Sequence, residues 1–340
     1  MKAWELGEQQ GSVDSLRMVE RPDPEPAAGE ALVRIRASAL NYRDHMILNL
    51  IDSAPKPEHR IPLSDGAGEV VAVGAGVDRV KPGDRVMLSL FTSWLDGPLQ
   101  PSHFGSDLGG GCDGTLAELA AFPASSLVSV PDSLSDEEAA CLPCAALTAW
   151  VSLVEFGQMK AGDTVLLLGT GGVSIFGLQI ARMMGADAII TSSSDEKLAR
   201  ARALGATHGI NYRDDPNWGR TVAELTGGAD LIIETGGAAT LAQSIEAAAF
   251  QARIALIGML GGVGIENDPL ALIWKNVTLK GILVGNRREL DEMTKAIARN
   301  GLKPVIDRRF PFAEAPAAYR YLASGAHFGK IVINHDEAPS

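Results

Sequence analysis

The chain has 340 residues, of which 46% are hydrophobic and 21% charged, and its formal net charge is −12. This length suggests about two domains with ample apolar material for a core, and the acidic balance argues against general nucleic-acid binding, which depends on phosphate neutralisation by Lys and Arg. No apolar run approaches the ~18 residues of a membrane span, no secretory signal is recognisable, and only three cysteines occur, so we expect a protein of the reducing cytoplasm.

The first 130 residues or so predict a β-rich domain. Residues 32–37 alternate apolar and charged side chains with period two, as a half-buried strand does. Residues 66–76 and 82–86 carry short apolar runs and Gly/Pro turns. The stretch 94–114 is rich in Gly, Pro and Ser, and we expect a long surface loop of the kind that often forms a lid or a binding loop.

From about residue 160 the pattern changes to alternating strands and helices. The predicted strands are 164–168, 188–191, a short one ending at 210, 231–234, 253–257 and 279–284. The predicted helices are 173–184, one opened by Ser193 with Glu196 as a capping box, one starting at Asp215-Pro216, 241–250 and 268–275. A helix at 312–322 and a strand at 330–333 complete the chain. This alternation predicts a parallel, doubly wound sheet covered on both faces.

A glycine-rich turn lies between the strand 164–168 and the helix that follows it. Such a turn lets the chain reverse tightly and lets backbone N–H groups approach a pyrophosphate, and the helix N-terminus adds unpaired donors and a partial positive charge. Ser174 replaces the third glycine of the usual fingerprint. A purely structural turn is the alternative. In this strand–turn–helix context we predict a dinucleotide site formed by Gly169, Thr170, Gly171, Gly172 and Val173.

The end of the second strand of this domain indicates which dinucleotide is bound. An NAD site usually places an acid there to accept from the ribose hydroxyls. Here the strand ends in three serines, Ser192 and Ser193 among them, and acids follow only in the next helix. Small hydroxyls accommodate a 2′-phosphate, and Lys197 can supply positive charge; the alternative is that Lys197 is a solvated helix residue. NADP(H) is favoured.

Short motifs are spread over essentially the whole chain. They occupy residues 39–44, 64–70, 81–86, 142–150, the glycine-rich turn, 204–206, 210–213 and 327–332. Together they resemble the medium-chain dehydrogenase/reductase superfamily, specifically its zinc-free quinone-oxidoreductase-like branch. The resemblance implies an α/β protein in which a GroES-like, β-rich catalytic domain, residues 1–145 and 288–340, encloses a Rossmann NADP(H)-binding domain, residues 146–287, with a doubly wound parallel sheet.

The same resemblance implies further cofactor contacts and an assembly. In quinone reductases of this branch a lysine and a tyrosine hold the 2′-phosphate, and these match Lys197 and Tyr212. The remaining implied contacts are Gly258 and Met259 beside the dinucleotide and Gly285 and Asn286 near its nicotinamide end. Members commonly dimerise through the edge of the Rossmann sheet, so we expect a homodimer.

The resemblance also bears on catalytic zinc. Zinc-dependent relatives use a Cys, an adjacent His-Glu pair and a second Cys, and these positions fall on Asn41, Ser64-Asp65 and Cys144. At most one thiolate and one carboxylate remain, whereas a catalytic zinc normally has three protein ligands. We therefore predict no metal. The alternatives are an unusual site made of Cys144 and Asp65 with His103 or Cys112, and redox or metal chemistry at Cys141-x-x-Cys144.

Loss of zinc favours a conjugated hydride acceptor, because charge then delocalises into an enolate or phenolate that hydrogen-bond donors suffice to stabilise. The candidate catalytic residues are those that the resemblance places in the active-site cleft: Asn41, Tyr42, Asp44 and Thr148. Asn41 would present its amide to the developing oxyanion, whereas Asp44 would lie near the cofactor or simply pair with Arg43. The loop aromatics that would either cover a flat acceptor or anchor their own loop are Phe91, Trp94 and Phe104.

We thus predict an NADPH-dependent oxidoreductase that transfers hydride to a quinone or an α,β-unsaturated carbonyl without catalytic zinc. One alternative is a zinc-free NAD(P)-dependent alcohol or carbonyl dehydrogenase of the same fold. Another is a non-catalytic NADPH-binding protein with a structural or regulatory role. The expected partner is a small-molecule substrate, with neither nucleic acid nor a membrane.

Overall fold

The computed structural model describes residues 1–7, 10–51, 56–258, 260–262 and 270–336. The chain divides into two compact units. The terminal unit comprises Met1–Leu147 and Gly285–Ser340, and the central unit comprises Thr148–Val284.

Regular structure covers most of both units. The strands are β1 (Lys2–Leu6), β2 (Leu16–Glu20), β3 (Glu30–Leu40), β4 (Asp65–Val73), β5 (Arg85–Leu88), β6 (Leu119–Pro123), β7 (Leu127–Ser129), β8 (Thr164–Leu167), β9 (Asp187–Ser192), β10 (His208–Asn211), β11 (Ala229–Glu234), β12 (Ala248–Leu256), β13 (Thr278–Gly281), β14 (Ile306–Pro311) and β15 (Lys330–Asn334). The α-helices are α1 (Tyr42–Leu48), α2 (Asp136–Ala140), α3 (Leu147–Trp150), α4 (Gly172–Met183), α5 (Asp195–Ala203), α6 (Trp218–Thr226), α7 (Leu241–Ala247), α8 (Leu270–Lys275), α9 (Arg287–Asn300) and α10 (Ala315–Ala323). No helix in the described ranges is long and apolar enough to cross a membrane.

The terminal unit is organised around β3. This strand pairs antiparallel with β4, β6 and β15, and the sheet runs in the order β14-β15-β3-β4-β5-β7. Its side chains alternate as predicted: Ala31, Val33 and Ile35 are buried, while Arg34 between them is exposed. The expectation of a GroES-like, β-rich domain is confirmed. Because β3 runs directly into α1 and lies against β15, it brings the residues after its end next to the start of β15.

The central unit contains the predicted doubly wound sheet. Its six strands run in the order β10-β9-β8-β11-β12-β13, and every pair is parallel. The order reverses between β8 and β11, which is the switch point of a Rossmann sheet, where the carboxyl ends of neighbouring strands lead to opposite faces and leave a crevice for a ligand. The predicted fold class is therefore confirmed.

In the close packing of α4 on this sheet, a glycine that the fingerprint did not single out faces the sheet. A Cβ added at Gly177 would lie 2.7 Å from Leu167 Cδ2 and 3.1 Å from Ile233 Cδ1. The third glycine of the usual fingerprint serves close helix–strand packing. Here Ser174 stands at that place, and the approach is made one turn later, at Gly177.

Two central helices have boundaries that differ from the prediction. The N-cap of α5 is Ser194 rather than Ser193, because the Ser194 hydroxyl accepts the Lys197 N–H at 3.4 Å. Helix α7 ends at Ala247 instead of continuing to residue 250, since Ala248 already pairs with β11. At α7 the competing partner, Ala229 of β11, lies outside the sequence window that suggested the boundary, whereas at α5 the competing cap is the adjacent serine.

The start of α6 was also placed too early. Asp215-Pro216 does not open the helix; α6 begins at Trp218, with Asn217 as its N-cap. The Asp215 carboxylate accepts the Asn217 N–H at 3.0 Å and the Thr221 hydroxyl at 2.5 Å. The Asn217 N–H closes a local turn at Asp215, and the Thr221 hydroxyl ties this turn to the first turn of α6, so Pro216 precedes the helix.

Two elements of the C-terminal segment were not predicted, α9 and β14. Helix α9 starts at Asn286, whose side chain accepts the Glu289 N–H at 3.0 Å while the Glu289 carboxylate accepts the Asn286 N–H at 2.8 Å. This is a capping box, and the buried face carries Leu290, Met293 and Ile297 at helical spacing. The signal was therefore present in the sequence. The strand expected at 279–284 ends at Gly281, three residues short of the prediction.

Candidate functional site

The glycine-rich turn connects β8 to α4 at the switch point of the sheet. Gly169 has a φ of +74°, in the left-handed region that favours glycine. Its N–H donates to Thr191 Oγ1 at 3.2 Å, which ties the turn to the end of β9. Gly171 is the N-cap of α4, and within the described residues no side chain caps this helix. The helix terminus, preceded by Thr170 and continued by Gly172 and Val173, has the features of an anion site.

The predicted 2′-phosphate residues come together at the carboxyl end of β9. Ser192 is buried, and the Tyr212 N–H donates to its carbonyl at 3.1 Å, which brings Tyr212 beside the end of β9. The Tyr212 side chain is 43% exposed. Lys197 lies in the first turn of α5, whose N-cap directly follows Ser193. Ser192 and Ser193 thus lie at the end of β9. Lys197 lies at the start of the helix that follows, and Tyr212 lies just after the neighbouring strand β10.

The first acid after β9 is held by a neighbour. Asp195 begins α5, and its Oδ1 accepts a hydrogen bond from Asn211 Nδ2 at 3.0 Å. The strand end itself carries no acid, as the sequence indicated. The groups at the end of β9 are therefore hydroxyls. Hydroxyls can donate hydrogen bonds to a phosphate, whereas a carboxylate at the same place would repel it.

A second loop, after β11, is built around a buried carboxylate that sequence reasoning missed. Glu234 has no exposed surface and accepts from the N–H groups of Gly236 and Gly237 at 2.7 and 2.9 Å. The hydroxyls of Thr240 and Ser244 also donate to it. Four donors converging on one carboxylate give the loop a fixed backbone at the carboxyl edge of the sheet.

The predicted contact Gly258 lies directly against that loop. A Cβ at Gly258 would be 2.0 Å from the carbonyl oxygen of Thr235, so only glycine allows this approach. Thr235 Oγ1 in turn donates to the Leu168 carbonyl at 3.0 Å, which links the loop to the glycine-rich turn. Gly258 thus belongs to the same edge as the turn, whereas its predicted neighbour Met259 lies outside the described residues.

Three other predicted residues have the following places. Thr148 is buried in α3, and its carbonyl accepts the Ser152 hydroxyl at 2.7 Å. Asn286 caps α9 and donates from Nδ2 to the Gly97 carbonyl at 3.4 Å, and Gly285 precedes it at the start of the C-terminal segment of the terminal unit.

A cluster of buried polar side chains occupies the end of β3 in the terminal unit; we call it the lysine cluster, and it comprises Lys330, Asn41 and Asp65. Lys330 Nζ donates to Asn41 Oδ1 at 2.6 Å and to the Leu40 carbonyl at 2.8 Å, and lies 3.5 Å from Asp65 Oδ2. Asn41 Nδ2 donates to the same Asp65 oxygen at 2.8 Å. Lys330 and Asp65 were not among the predicted catalytic residues, although both lie within motifs that carry the family resemblance.

Asp44 supports the cluster from α1. Its carboxylate accepts the Asn41 N–H at 2.8 Å and the Ser64 hydroxyl at 3.3 Å. Arg43 makes its shorter ion pair with Asp107, at 2.7 Å, and lies 3.9 Å from Asp44. Tyr42, the first residue of α1, is 38% exposed. Of the predicted catalytic residues, the structure therefore brings together Asn41, Tyr42 and Asp44 at the start of α1.

Burial controls the ionisation of this cluster. It raises the pKa of Asp65 to about 6, although the Lys330 ammonium and the Asn41 amide lower it. Burial likewise raises the pKa of Asp44, against the lowering effect of Arg43. In an apolar environment each carboxylate depends on the cation beside it, so Lys330 and Arg43 are the counter-charges of the site.

The residues of this cluster do not fit a catalytic zinc. Zinc is held by thiolates, imidazoles and carboxylates, and within the described ranges no group of three or more His, Cys, Asp or Glu side chains could hold a metal ion. The four family ligand positions carry an amide at Asn41, a hydroxyl at Ser64, a carboxylate at Asp65 and a thiol at Cys144. The Lys330 ammonium, which only donates hydrogen bonds, lies among these groups.

The alternative metal and redox sites find no support in the geometry of the described residues. His103 Nδ1 accepts the Gln100 N–H at 3.0 Å, and its ring stacks on Trp94. The Cys141 thiol donates to the Glu137 carbonyl at 3.2 Å. Burial raises the pKa of both Cys141 and Cys144 to about 12, which disfavours the thiolate that metal binding or exchange requires.

The loop 94–114 contains no strand or α-helix, as expected, but it is not confined to the surface. Trp94 and Leu108 are buried. Phe91 makes edge contacts with Trp94 and Phe104, with ring centroids 6.1 and 6.0 Å apart. The aromatic side chains thus contact one another and anchor the loop, and Phe104 remains exposed.

Comparison with known proteins extends over both units. Residues 27–132 match the family described as alcohol dehydrogenase GroES-like domain, and residues 172–299 match that described as zinc-binding dehydrogenase. A zinc-type alcohol dehydrogenase-like protein of Schizosaccharomyces pombe is 42% identical over 320 residues, which is 91% of each chain. An acryloyl-coenzyme A reductase of Metallosphaera sedula is 30% identical, over 92% of this chain and 95% of the relative. A quinone oxidoreductase of Pseudomonas aeruginosa is 31% identical, over 95% and 96%.

Solved structures of proteins with similar descriptions superpose on nearly the whole chain. A putative alcohol dehydrogenase from Sinorhizobium meliloti superposes with a TM-score of 0.90 at 44% identity, covering 98% of this chain and all of that one. The 2-octenoyl-CoA carboxylase reductase CinF, in complex with NADP and 2-octenoyl-CoA, gives a TM-score of 0.88 at 27% identity, over 98% and 87%. Membership of the quinone-oxidoreductase-like branch stays a prediction, because a relative named alcohol dehydrogenase-like is more similar than the quinone oxidoreductase. The chain belongs to the medium-chain dehydrogenase/reductase family, an NAD(P)-binding family of oxidoreductases.

Proposed function

We propose that this oxidoreductase uses NADP(H) and transfers hydride to a quinone or an α,β-unsaturated carbonyl without a catalytic zinc. The observation that carries the proposal is the lysine cluster. Where the family resemblance places metal ligands, this chain has an amide, a carboxylate and a thiol, and a lysine ammonium donates to the first and lies beside the second. The positive charge at this place is the Lys330 ammonium and not a bound metal ion. The substrate oxygen is therefore stabilised by hydrogen-bond donors in this proposal.

Chemistry without a Lewis acid suits a conjugated acceptor. When bound, the reduced dinucleotide supplies a hydride, that is, one proton and two electrons. In an enone or enal the hydride adds to the β carbon and the charge moves to the carbonyl oxygen, and one proton from solvent completes the reduction. A quinone likewise takes one hydride and one proton to become a hydroquinone. Delocalised charge of this kind needs only donors aimed at the oxygen.

The chain's own residues supply such donors near α1. Asn41 has an amide N–H for a developing oxyanion, and the partly exposed Tyr42 lies next to it with a phenolic hydroxyl. Asp44 uses its carboxylate to hold the Asn41 backbone and Ser64, so we assign it a supporting role. We also propose, as the family resemblance implies, that Thr148 lies near the nicotinamide.

The preference for NADP(H) rests on the end of β9. Ser192 and Ser193 offer hydroxyls, Lys197 and Tyr212 offer a cation and a phenol, and the first acid, Asp195, is engaged by Asn211. A 2′-phosphate is bound well by such donors, whereas a ribose hydroxyl pair usually requires an acid. CinF, a structural relative, was solved with NADP.

A second candidate is a zinc-free alcohol or carbonyl dehydrogenase, which the alcohol dehydrogenase-like names of the more similar relatives favour. It would reduce a saturated carbonyl directly and would need a protein acid to protonate the alkoxide. The non-catalytic alternative predicts NADPH binding with no turnover of any acceptor.

The deciding experiment is turnover after metal depletion. NADPH oxidation, and then NADH oxidation, is followed with a benzoquinone, a naphthoquinone, an enone, an enal and a saturated aldehyde. We expect oxidation of NADPH in preference to NADH with the conjugated acceptors only. Turnover of the saturated aldehyde alone would select the dehydrogenase, and activity that requires one zinc per chain would overturn the metal-free mechanism.

We also propose that the protein is a homodimer joined at the β13 edge of the central sheet. Strand β13 pairs on one side only, with β12, among the strands that the structure describes. Large apolar side chains are exposed on elements next to it; this edge patch consists of Phe250, Ile273, Trp274 and Leu283. A second copy of the chain would cover the patch and pair the free edge, as an exposed sheet edge requires.

A further inference from the structure

Lys330 is a fully buried ammonium whose donors are all directed at named acceptors. It is the first residue of β15, and because Ile331 pairs with Leu40, Lys330 stands opposite the residue that follows β3, which is Asn41. Its three N–H groups have three acceptors, the Leu40 carbonyl, Asn41 Oδ1 and Asp65 Oδ2. Burying a charge is costly unless it is paired and hydrogen-bonded. The free-energy cost of burying the Lys330 ammonium therefore calls for an explanation other than packing.

The chemistry of lysine restricts the orientation of the Asn41 amide. An ammonium donates and never accepts, so the atom that faces Lys330 must be the amide oxygen. The NH₂ group of Asn41 must then point to the other side, where Asp65 Oδ2, which accepts, lies at 2.8 Å. Lys330 and Asp65 thus favour the same orientation of the Asn41 amide, with Lys330 binding its oxygen and Asp65 binding its nitrogen.

This orientation leaves one donor of Asn41 uncommitted. An amide nitrogen carries two N–H groups. One is directed to Asp65, and the other makes no hydrogen bond with any residue in the described ranges. Asn41 is buried but retains a small accessible surface, in contrast to Asp65, which has none. Asn41 therefore has a second amide N–H that no described residue uses, on a side chain that Lys330 and Asp65 hold in place.

We propose that Lys330 is a positioning residue that fixes the Asn41 amide so that its second N–H donates to the oxygen of the hydride acceptor. The inference rests on the proposed function for the identity of that acceptor, but not for the orientation of the amide. Lys330 supplies the positive charge that balances Asp65 and acts on the substrate through Asn41, without touching it.

A replacement at Lys330 removes this control. In Lys330→Met the amide oxygen of Asn41 loses its donor, and Asp65 loses its counter-charge. A buried carboxyl without a counter-charge takes up a proton, and a protonated carboxyl donates as well as accepts. Both orientations of the amide then become possible, so the N–H is no longer directed at the substrate.

The kinetic test is a double-mutant cycle with Asn41→Ala, using the acceptor that the wild-type enzyme reduces best. Removal of one oxyanion donor costs roughly 100-fold in kcat or more, so we expect Asn41→Ala to lower kcat by about 100-fold or more. Lys330→Met leaves the donor present but free to turn, and we expect it to lower kcat by about 10- to 100-fold. NADPH affinity, measured by fluorescence, should change less than about twofold. In the double variant Lys330→Met should add nothing, because its effect passes through Asn41. Additive losses would overturn the proposal.

Three controls separate positioning from stability. Lys303→Met removes an exposed lysine of the same unit that pairs with Glu138, and it should leave kcat unchanged. Lys330→Arg keeps a donor-only cation and should restore more of kcat than Lys330→Gln, whose amide accepts as well as donates. If Lys330→Met does not fold, the Arg and Gln variants make the same comparison. Equal activity of these two variants would count against the proposal.

Orientation is also measured without any turnover, which keeps the proposal separate from the proposed function. Selective 15N-asparagine labelling reports the side-chain amide of Asn41, and Asn41→Asp assigns its signals. We expect one pair of slowly exchanging N–H signals in the wild-type protein, and faster exchange with shifted positions in Lys330→Gln. Unchanged signals in that variant would overturn the positioning role, whereas a wild-type enzyme that is inactive on every acceptor would overturn the proposed function alone.

Discussion

Lys197 is the residue whose charge distinguishes the two dinucleotides in the proposed site. It lies in the first turn of α5, after a strand end that carries hydroxyls and no acid. We predict that Lys197→Ala weakens NADPH binding by roughly 10- to 100-fold and NADH binding much less, since a charge-assisted hydrogen bond contributes about 1.5–3 kcal/mol. Titration of both dinucleotides by fluorescence or calorimetry measures the ratio.

Arg200→Ala is the matched control for this prediction. It removes one positive charge from the same helix, one turn further on. The control variant should bind both dinucleotides nearly as the wild-type protein does. Equal weakening of NADPH and NADH by Lys197→Ala would remove the assignment of Lys197 to the 2′-phosphate.

The cysteines illustrate how burial decides the chemistry of a motif. Burial raises the pKa of Cys141 and Cys144 to about 12 and that of Cys112 to about 11. At pH 8 the Cys144 thiol is then almost entirely protonated, and the thiolate is the nucleophile. We predict that iodoacetamide modifies the native protein very slowly at pH 8 and modifies all three thiols after unfolding in guanidinium chloride.

Mass spectrometry of the intact chain counts the modified thiols. Rapid native modification at Cys141 or Cys144 would contradict the packing interpretation and revive a redox role for Cys-x-x-Cys. A free thiol peptide of the same sequence provides the reference rate. Rapid modification of Cys112 alone would show that only the loop 94–114 is more accessible than the structure indicates.

At the scale of elements, the cofactor edge of the central sheet depends on close contact between two loops. A Cβ at Gly258 would lie 2.0 Å from the Thr235 carbonyl oxygen, and backbone cannot move aside as a side chain can. We predict that Gly258→Ala destabilises the protein by roughly 2 kcal/mol, as overpacking does, and weakens NADPH binding. Thermal unfolding and cofactor titration measure the two effects.

Gly281→Ala is its counterpart. A Cβ at Gly281 would meet nothing within 4 Å, and its φ is not in the left-handed region. Although Gly281 lies on β13, at the proposed dimer edge, its Cβ would meet no atom of its own chain, so this variant should change the free energy of unfolding of the chain by no more than about 0.5 kcal/mol. If Gly258→Ala proved as harmless as Gly281→Ala, the two loops would not need the close approach that the structure gives them.

Element boundaries were predictable where local pattern and tertiary contacts agreed. The parallel strands from β8 to β12 and the helix after the glycine-rich turn carry apolar runs of the right length, and their existence followed from the sequence. Helix α9 was missed although Asn286 and Glu289 form a capping box, because the segment is highly charged and because Gly285 and Asn286 were interpreted only as cofactor contacts. At α6, Asp215 satisfied its carboxylate in a turn, so the helix began later than Pro216 suggested.

At the scale of the whole molecule, the edge patch governs assembly in our proposal. Trp274 is 75% exposed and Phe250 is 77% exposed, which is unusual for aromatic side chains of a monomer. We predict a dimer by light scattering, and conversion to a monomer by Trp274→Glu, because a buried unpaired carboxylate costs several kcal/mol at an interface. Size-exclusion chromatography with light scattering measures the mass.

The control is Leu225→Glu on α6, a residue of the same unit that is 52% exposed and lies outside the edge patch. This variant should remain dimeric. A wild-type monomer, or a dimer that both substitutions leave intact, would contradict the assignment of the interface to the β13 edge.

The sequence by itself determined the fold class and the glycine-rich turn, because these depend on local features: period-two and helical apolar patterns, and glycines at a strand–helix junction. Its short motifs carried the resemblance to the family. It also indicated which ligand positions had lost their zinc donors. Only the tertiary structure decided what stands there instead. Lys330 and Asn41 are 289 residues apart, and β3 and β15 bring them to 2.6 Å. A sequence window cannot contain such a contact, since the register of two strands from opposite ends of the chain sets it.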